Sequence, residues 1–192
     1  MNITEDFLVK NIECLHKATH LLAARASGIE EEKLVAYPSI LKIGERLCCV
    51  SVGFPGADSD FIMPYVINAA FGLEMCLKLL LLCESKKWEE THNLNNLYLA
   101  VSHESKSHMK DVFDKLVKSS SVYKDISRRL NEDAKIQFSW NLDKLIAQSS
   151  TAFDDWRYAF ESSSRPVSCF AGYFEIRTAI LSAIDVSKSK DS

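Results

Sequence analysis

Residues 61–84 read FIMPYVINAAFGLEMCLKLLLLCE and form a long apolar stretch that is interrupted by Pro64, Glu74 and Lys78. The stretch is long enough to cross a bilayer, but a charged residue at a bilayer's centre costs roughly 2.5–3.5 kcal/mol on insertion scales. Apolar residues surround the helix that it would form, which is typical of the centre of a bundle. The sequence therefore predicts a buried helix from about residue 60 to 84, and no membrane span.

Helical periodicity continues on both sides of this central segment. Further helices are predicted at about residues 4–26, 94–102, 105–119, 139–161 and 167–186. The helix at 139–161 has the clearest apolar stripe in the chain, and Pro166 follows its end. Residues 30–57 contain prolines, glycines and a short β-like run, and their structure is ambiguous.

Together these segments predict an all-α fold. We expect an up-and-down helical bundle over residues 58–186, preceded by an N-terminal helix and irregular cover in residues 1–57. A frayed polar tail is expected at residues 187–192. With 192 residues, of which 47% are hydrophobic, the chain is long enough to form one globular unit with its own core.

Composition narrows the classes of function. A net charge of −3 and a pI near 6.0 give no overall field that attracts nucleic acid or an anionic membrane, so such binding would need a local patch. No secretory signal is recognised in the sequence, and a cytoplasmic location is expected. The six cysteines lack the spacing of a disulfide framework or a zinc site.

Metal and cofactor sites are not predicted. Di-iron bundles need Glu-x-x-His on two helices, and this spacing occurs at Glu13–His16 and Glu89–His92. However, Glu13 points away from the apolar stripe of its helix, and the second pair falls in a loop. His16 and His20 lie one turn apart and could hold a metal only adventitiously, because no further ligand is indicated.

Glu74 and Lys78 are the first candidate site residues. They lie one helical turn apart in the order that favours an ion pair, inside an apolar helix where charges need partners. Arg177 poses the same problem, since it falls inside the apolar stripe of the last helix. A bundle in which Arg177 or Arg157 reaches Glu74 would satisfy both. The alternative is a self-contained structural ion pair.

Two further segments carry candidate residues. His92 and Asn93 precede a short helix that either side chain could cap, and a histidine can also act as an acid or a base near neutral pH. Arg157 borders a buried stripe, with Glu161 one turn beyond it and Tyr158 beside it. For these three residues the alternative is an ordinary i,i+4 pair on a half-exposed face.

Three motifs, in their order along the chain, resemble the HEPN-like domain family. They are the apolar helix with Glu74-x-x-x-Lys78, the turn His92-Asn93-Leu94, and Trp156-Arg157-Tyr158 followed by Glu161. The resemblance covers about residues 60–186. It implies an up-and-down helical bundle, frequent homodimers, and roles in RNA cleavage, nucleotide-related binding, toxin–antitoxin pairs and antiviral defence.

The ribonuclease members of that family carry an arginine, four to six variable residues and then a histidine, and this spacing is absent here. The favoured hypothesis is therefore a binding or regulatory module, with a cognate partner protein or RNA or a nucleotide as partner. Its ligand-binding residues would be Glu74, Lys78, His92, Arg157, Tyr158, Glu161 and Arg177. A non-standard ribonuclease with His92 and Arg157 as catalytic residues is the second hypothesis, and a purely structural domain is the third.

Overall fold

The computed structural model describes residues 5–27, 61–84, 87, 90–119, 123–124, 128, 139–150 and 172–190. Its helices with defined bounds are α1 (Glu5–Ser27), α2 (Ile62–Cys83), α3 (Leu94–Ala100), α4 (His103–Ser119), α5 (Leu142–Gln148) and α6 (Tyr173–Lys190). No described residue lies in a strand, and the predicted all-α fold is confirmed. The cover predicted at residues 30–57 lies outside the described residues.

The apolar helix α2 occupies the centre of the bundle. Helices α1, α3 and α6 all pack against it, while α4 packs against α6 and α5 against α3. Leu80 and Leu81 of α2 are fully buried. Residues Met63–Cys83 would be long and apolar enough to cross a membrane, but 67% of their most apolar window is buried inside the protein. This burial inside the bundle accounts for the apolar sequence of α2.

Polar side chains define where two of the short helices begin. At the start of α3, Oδ1 of Asn93 accepts a hydrogen bond from the backbone N–H of Asn96 at 3.0 Å. Asn141 does the same for Lys144 at the start of α5, also at 3.0 Å. Each bond satisfies one of the free N–H groups of a first helical turn. Asn93 is therefore the cap, as one of the two sequence alternatives proposed.

The helix predicted over residues 139–161 is interrupted. α5 ends at Gln148, and Ser149 and Ser150 form a turn. In a continuous helix the Ser150 carbonyl would accept from the N–H four residues later. The Ser150 carbonyl accepts a hydrogen bond from the backbone N–H of Leu94 at 3.1 Å, at the start of α3. The prediction of one unbroken helix was wrong because its apolar stripe carries no information about this contact between distant segments.

Helix α6 extends to Lys190, beyond the end predicted near residue 186. Lys188 forms an ion pair with Glu5 of α1, and Lys190 forms one with Glu104 of α4. Cations near a helix C-terminus also interact favourably with the helix dipole. The part of the tail predicted to fray is therefore helical as far as Lys190.

Candidate functional site

Glu74 and Lys78 form a buried ion pair on α2. Nζ of Lys78 donates a hydrogen bond to Oε1 of Glu74 at 2.8 Å. The side chain of Glu74 is 1% exposed and that of Lys78 is 10% exposed. The pair predicted from the four-residue spacing is thus present, and it lies inside the core, where an unpaired charge would be strongly destabilising.

His92 joins this pair from the turn that precedes α3. Its Nδ1 lies 3.1 Å from Oε1 and 3.1 Å from Oε2 of Glu74. The two side chains differ greatly in environment, because His92 is 56% exposed whereas Glu74 is 1% exposed. A buried carboxylate therefore holds a histidine that faces the surface. We call Glu74, Lys78 and His92 the charged cluster.

The turn that carries His92 is fixed on both sides. The backbone N–H of Asn93 donates to the Thr91 hydroxyl at 3.0 Å, and the Asn93 side chain caps α3. The next residue, Leu94, is buried and donates its backbone N–H to Ser150. His92 is therefore attached to a short helix whose start is anchored to the turn after α5.

The contact with Glu74 determines how the imidazole is used. An ionised carboxylate can only accept hydrogen bonds, so Nδ1 of His92 is the donor to Glu74. In the neutral imidazole the other ring nitrogen, Nε2, then carries the lone pair. This arrangement can bind a ligand or transfer a proton at Nε2, with Glu74 orienting the ring.

Arg177 does not reach Glu74. Its Nη2 donates to Oε1 of Glu13 on α1 at 3.1 Å. The reason is the position of α6 around α2: a Cβ added at Gly72 would meet the Tyr173 hydroxyl of α6 at 3.1 Å. Side chains two positions apart on a helix point about 200° apart. α6 therefore packs on the face of α2 opposite Glu74, and Arg177 is separate from the charged cluster.

Arg157, Tyr158 and Glu161 lie outside the described residues. Their assignment to the same site as Glu74, including the catalytic role considered for Arg157, stays a prediction.

His16 packs against aromatic side chains near Arg177, where α1 meets α6. The His16 ring stacks on Tyr173 with ring centroids 6.2 Å apart, and it meets Phe174 edge-on at 6.0 Å. Burial, reinforced by the nearby Arg177 cation, lowers the pKa of His16 from 6.5 to about 4. His16 is therefore neutral near pH 7. It packs against aromatic rings, which differs from the adventitious metal-binding role considered for it with His20.

Acid is expected to destabilise the protein through His16. A histidine with a lowered folded-state pKa contributes stability above pH 6.5, and that stability is lost as the pH falls towards 4. Between pH 7 and about pH 5 we expect the free energy of unfolding to fall by about 1–2 kcal/mol through His16. This range allows for solvent screening of a partly exposed ring. Urea unfolding at pH 7 and near pH 5 should show a smaller loss in His16→Gln than in the wild type. Two results would contradict this role of His16: an equal loss of stability in the wild type and in His16→Gln, or an equally reduced loss in the surface variant His103→Gln.

A hydrogen-bond network that no sequence motif revealed positions α3. The Tyr98 hydroxyl of α3 donates to Oδ1 of Asp143 in α5 at 2.7 Å, and Lys110 of α4 lies 2.8 Å from Oδ2. Burial opposes the charge on Asp143, but hydrogen bonds from Lys110 and Tyr98 outweigh it and lower the pKa of Asp143. The only sequence signal is the acidic residue in the first turn of α5. The network fixes α3, and hence the turn with His92.

Metal ligands are not grouped in the described part of the chain. No cluster of three or more histidine, cysteine, aspartate or glutamate side chains suited to a metal ion occurs among these residues. Comparison of the chain with protein-family models, with curated proteins and with solved structures found no match. The fold and the charged cluster therefore define the class of protein as an all-α helical bundle with a buried Glu–Lys pair and a half-exposed histidine.

Proposed function

We propose that this chain is a HEPN-like binding and regulatory protein that binds a phosphate-bearing ligand, such as a nucleotide or RNA, at the charged cluster. The observation that carries the proposal is the contact between buried Glu74 and half-exposed His92. Nδ1 of His92 lies 3.1 Å from Oε2 of the buried carboxylate, while the His92 side chain is 56% exposed. The addition of an oriented imidazole at the surface suits recognition of a ligand from solution.

The wider biology of the proposal rests on the sequence resemblance. It includes a homodimer, a cytoplasmic location and a cognate partner protein of a toxin–antitoxin or defence system. Arg157, Tyr158 and Glu161 are proposed as further ligand contacts, because they belong to the late motif of the resemblance. Arg177 is left out of the proposed site because it pairs with Glu13 on the other side of α2.

Nucleotide titration tests the binding function. AMP and UMP are titrated into the wild-type protein and into His92→Ala, with His103→Ala as a control in another exposed histidine, at the start of α4. Loss of a charge-assisted hydrogen bond of about 1.5–3 kcal/mol should weaken binding by His92→Ala roughly tenfold to hundredfold. The control should bind as the wild type does. No binding by the wild type at millimolar nucleotide, or equal binding by all three proteins, would leave only the structural role.

A ribonuclease remains the second candidate, favoured by the same contact. A carboxylate that orients a histidine ring at Nδ1 is an arrangement used for general acid–base catalysis, in which the imidazole takes a proton from an attacking hydroxyl or returns one to a leaving group. Lys78 or Arg157 would stabilise phosphate charge in this mechanism. Incubation with total RNA of the wild type, His92→Ala and Arg157→Ala tests it. Cleavage that is absent, or that persists in both variants, would exclude this candidate.

A further inference from the structure

Within the described part of the chain, buried side-chain atoms that lack a hydrogen-bond partner are concentrated at the start of α6. They are the Tyr173 hydroxyl, Oε2 of Glu175, Nε of Arg177 and Nδ1 of His16. Three belong to the first two turns of α6, and the fourth belongs to the ring that stacks on Tyr173. Each opposes the closed arrangement, because a buried polar group without a partner has given up its hydrogen bonds to water. We call residues 173–179 the α6 lid.

Apolar packing acts in the other direction and holds the α6 lid closed. Its buried residues are Tyr173, Phe174, Glu175, Ile176 and Ala179. The Tyr173 hydroxyl reaches α2 at Gly72, where an added Cβ would lie only 3.1 Å from it. The nearby Thr19 hydroxyl donates its proton to a backbone carbonyl of its own helix at 2.7 Å, so that proton is not available to Tyr173. Closure of the α6 lid therefore combines favourable apolar contacts with unfavourable polar burial.

The second half of α6 is attached differently. Nε2 of His108 on α4 lies 2.8 Å from Oγ of Ser182, and ion pairs connect the last turn to α1 and, through Lys190, to α4. In the α6 lid the ion pair between Arg177 and Glu13 is at the surface, where Glu13 is 56% exposed. Polar contacts thus stabilise the docked second half, whereas the α6 lid buries polar atoms unpaired. Local opening is expected first in the part with the weaker balance of contacts.

We infer that the α6 lid is a conformational device that opens away from α1 and α2 while the second half of α6 stays docked. Opening allows the four polar atoms to bind water and exposes the face of α2 that carries Gly72 and Cys76. The α6 lid then has an opening equilibrium of its own, distinct from the unfolding of the whole protein. The inference stands apart from the proposed function, since the charged cluster lies on the opposite face of α2.

The thiol of Cys76 reports this opening. Cys76 lies one turn after Gly72 on α2, on the same face, and is 0% exposed. Burial raises the pKa of its thiol to about 12, and the charge of Arg177 on the α6 lid acts on it. In the closed protein, at about pH 8, a thiol reagent therefore meets neither an accessible sulfur nor a thiolate. Cys14 on α1 is exposed and gives an internal reference for the reagent.

Time-resolved labelling with N-ethylmaleimide, read at Cys76 by peptide mass spectrometry, measures the opening. Urea unfolding of the same protein gives the rate expected if Cys76 became accessible only by global unfolding. We expect labelling at least about tenfold faster than that rate. It should also be nearly insensitive to low urea, because a local opening exposes little surface. Labelling that matches global unfolding at every urea concentration overturns the inference.

Two substitutions are expected to move the opening in opposite directions. Tyr173→Phe removes an unsatisfied hydroxyl and keeps the ring, so labelling of Cys76 should slow by about threefold to tenfold. Gly72→Ala places a Cβ 3.1 Å from that hydroxyl and should speed labelling by a similar factor. The double variant should label no faster than the wild type, because the next ring atom lies 3.6 Å from the added Cβ, an ordinary contact.

The matched control is Tyr98→Phe, because the Tyr98 hydroxyl has a partner, Asp143, at 2.7 Å. This variant should leave the labelling of Cys76 at low urea unchanged. Slower labelling in Tyr173→Phe but not in Tyr98→Phe, with Gly72→Ala rescued in the double variant, supports the inference. Unchanged or faster labelling in Tyr173→Phe would mean that its hydroxyl is satisfied in the closed state, and it overturns the inference. An equal slowing in Tyr98→Phe does the same.

Discussion

Replacing Lys78 by methionine is expected to lower the free energy of unfolding by about 3–5 kcal/mol. The substitution leaves the Glu74 carboxylate buried without its ammonium partner, while the methionine keeps most of the apolar stem in place. The loss should fall towards the lower end of that range, because His92 still donates to Glu74. Urea unfolding followed by circular dichroism measures it.

A surface pair of the same spacing gives the matched control. Lys118 pairs with Asp114 at 2.6 Å across one turn of α4, and the two side chains are 75% and 46% exposed. Lys118→Met should cost less than about 1 kcal/mol. The double variant Glu74→Leu with Lys78→Met should recover most of the lost stability, since it removes both buried charges. A loss in Lys78→Met no larger than in Lys118→Met would mean that the Glu74–Lys78 pair is not buried as described.

Replacing Leu80 by alanine is expected to lower the free energy of unfolding by about 2–5 kcal/mol. Leu80 is 0% exposed at the centre of the bundle, so truncation removes buried apolar contacts and leaves a cavity. The same change at Leu99, which is 60% exposed on α3, should alter stability by less than about 0.5 kcal/mol. Similar losses at both positions would contradict the central place of α2. Urea unfolding of the purified variants and of the wild type measures both losses.

The central helix was predictable because one physical cause acts along its whole length. A helix surrounded by protein requires apolar side chains in every direction, and the sequence around Leu73, Leu77 and Leu80 shows this without reference to any other segment. The same reasoning predicted that Glu74 and Lys78 would pair, since their four-residue spacing is local. The apolar pattern and the four-residue spacing within this one segment therefore predicted both the helix and its ion pair.

Contacts between distant segments were beyond these patterns. The turn at Ser149 and Ser150 depends on a hydrogen bond from Leu94, and no periodicity within residues 139–161 reveals it. Glu74 was considered as a partner for either Arg177 or Arg157, and Arg177 does not contact it. Burial required a counter-charge for this residue, but the apolar pattern does not say which neighbouring helix supplies it, and that partner is Glu13.

His92 was the candidate for which the sequence gave an incomplete account. The pattern before α3 offered His92 or Asn93 as a cap, and the structure gives the cap to Asn93. The imidazole of His92 instead contacts Glu74, which lies 18 positions earlier in the chain. A helix cap depends on neighbouring residues and can be predicted from the sequence. The contact between His92 and Glu74 depends on how α2 and α3 pack against each other, which the sequence does not show.

The Glu74–Lys78 pair is contained within a single helix, and this has a consequence for how the protein can change over time. The buried carboxylate keeps an ammonium partner whatever residue follows Thr91, because that partner is supplied by α2 itself. The His92 side chain is 56% exposed, so a change at position 92 opens no cavity in the core. The cluster thus consists of an inner ion pair, held within one buried helix, and an outer residue that can change while the bundle is retained.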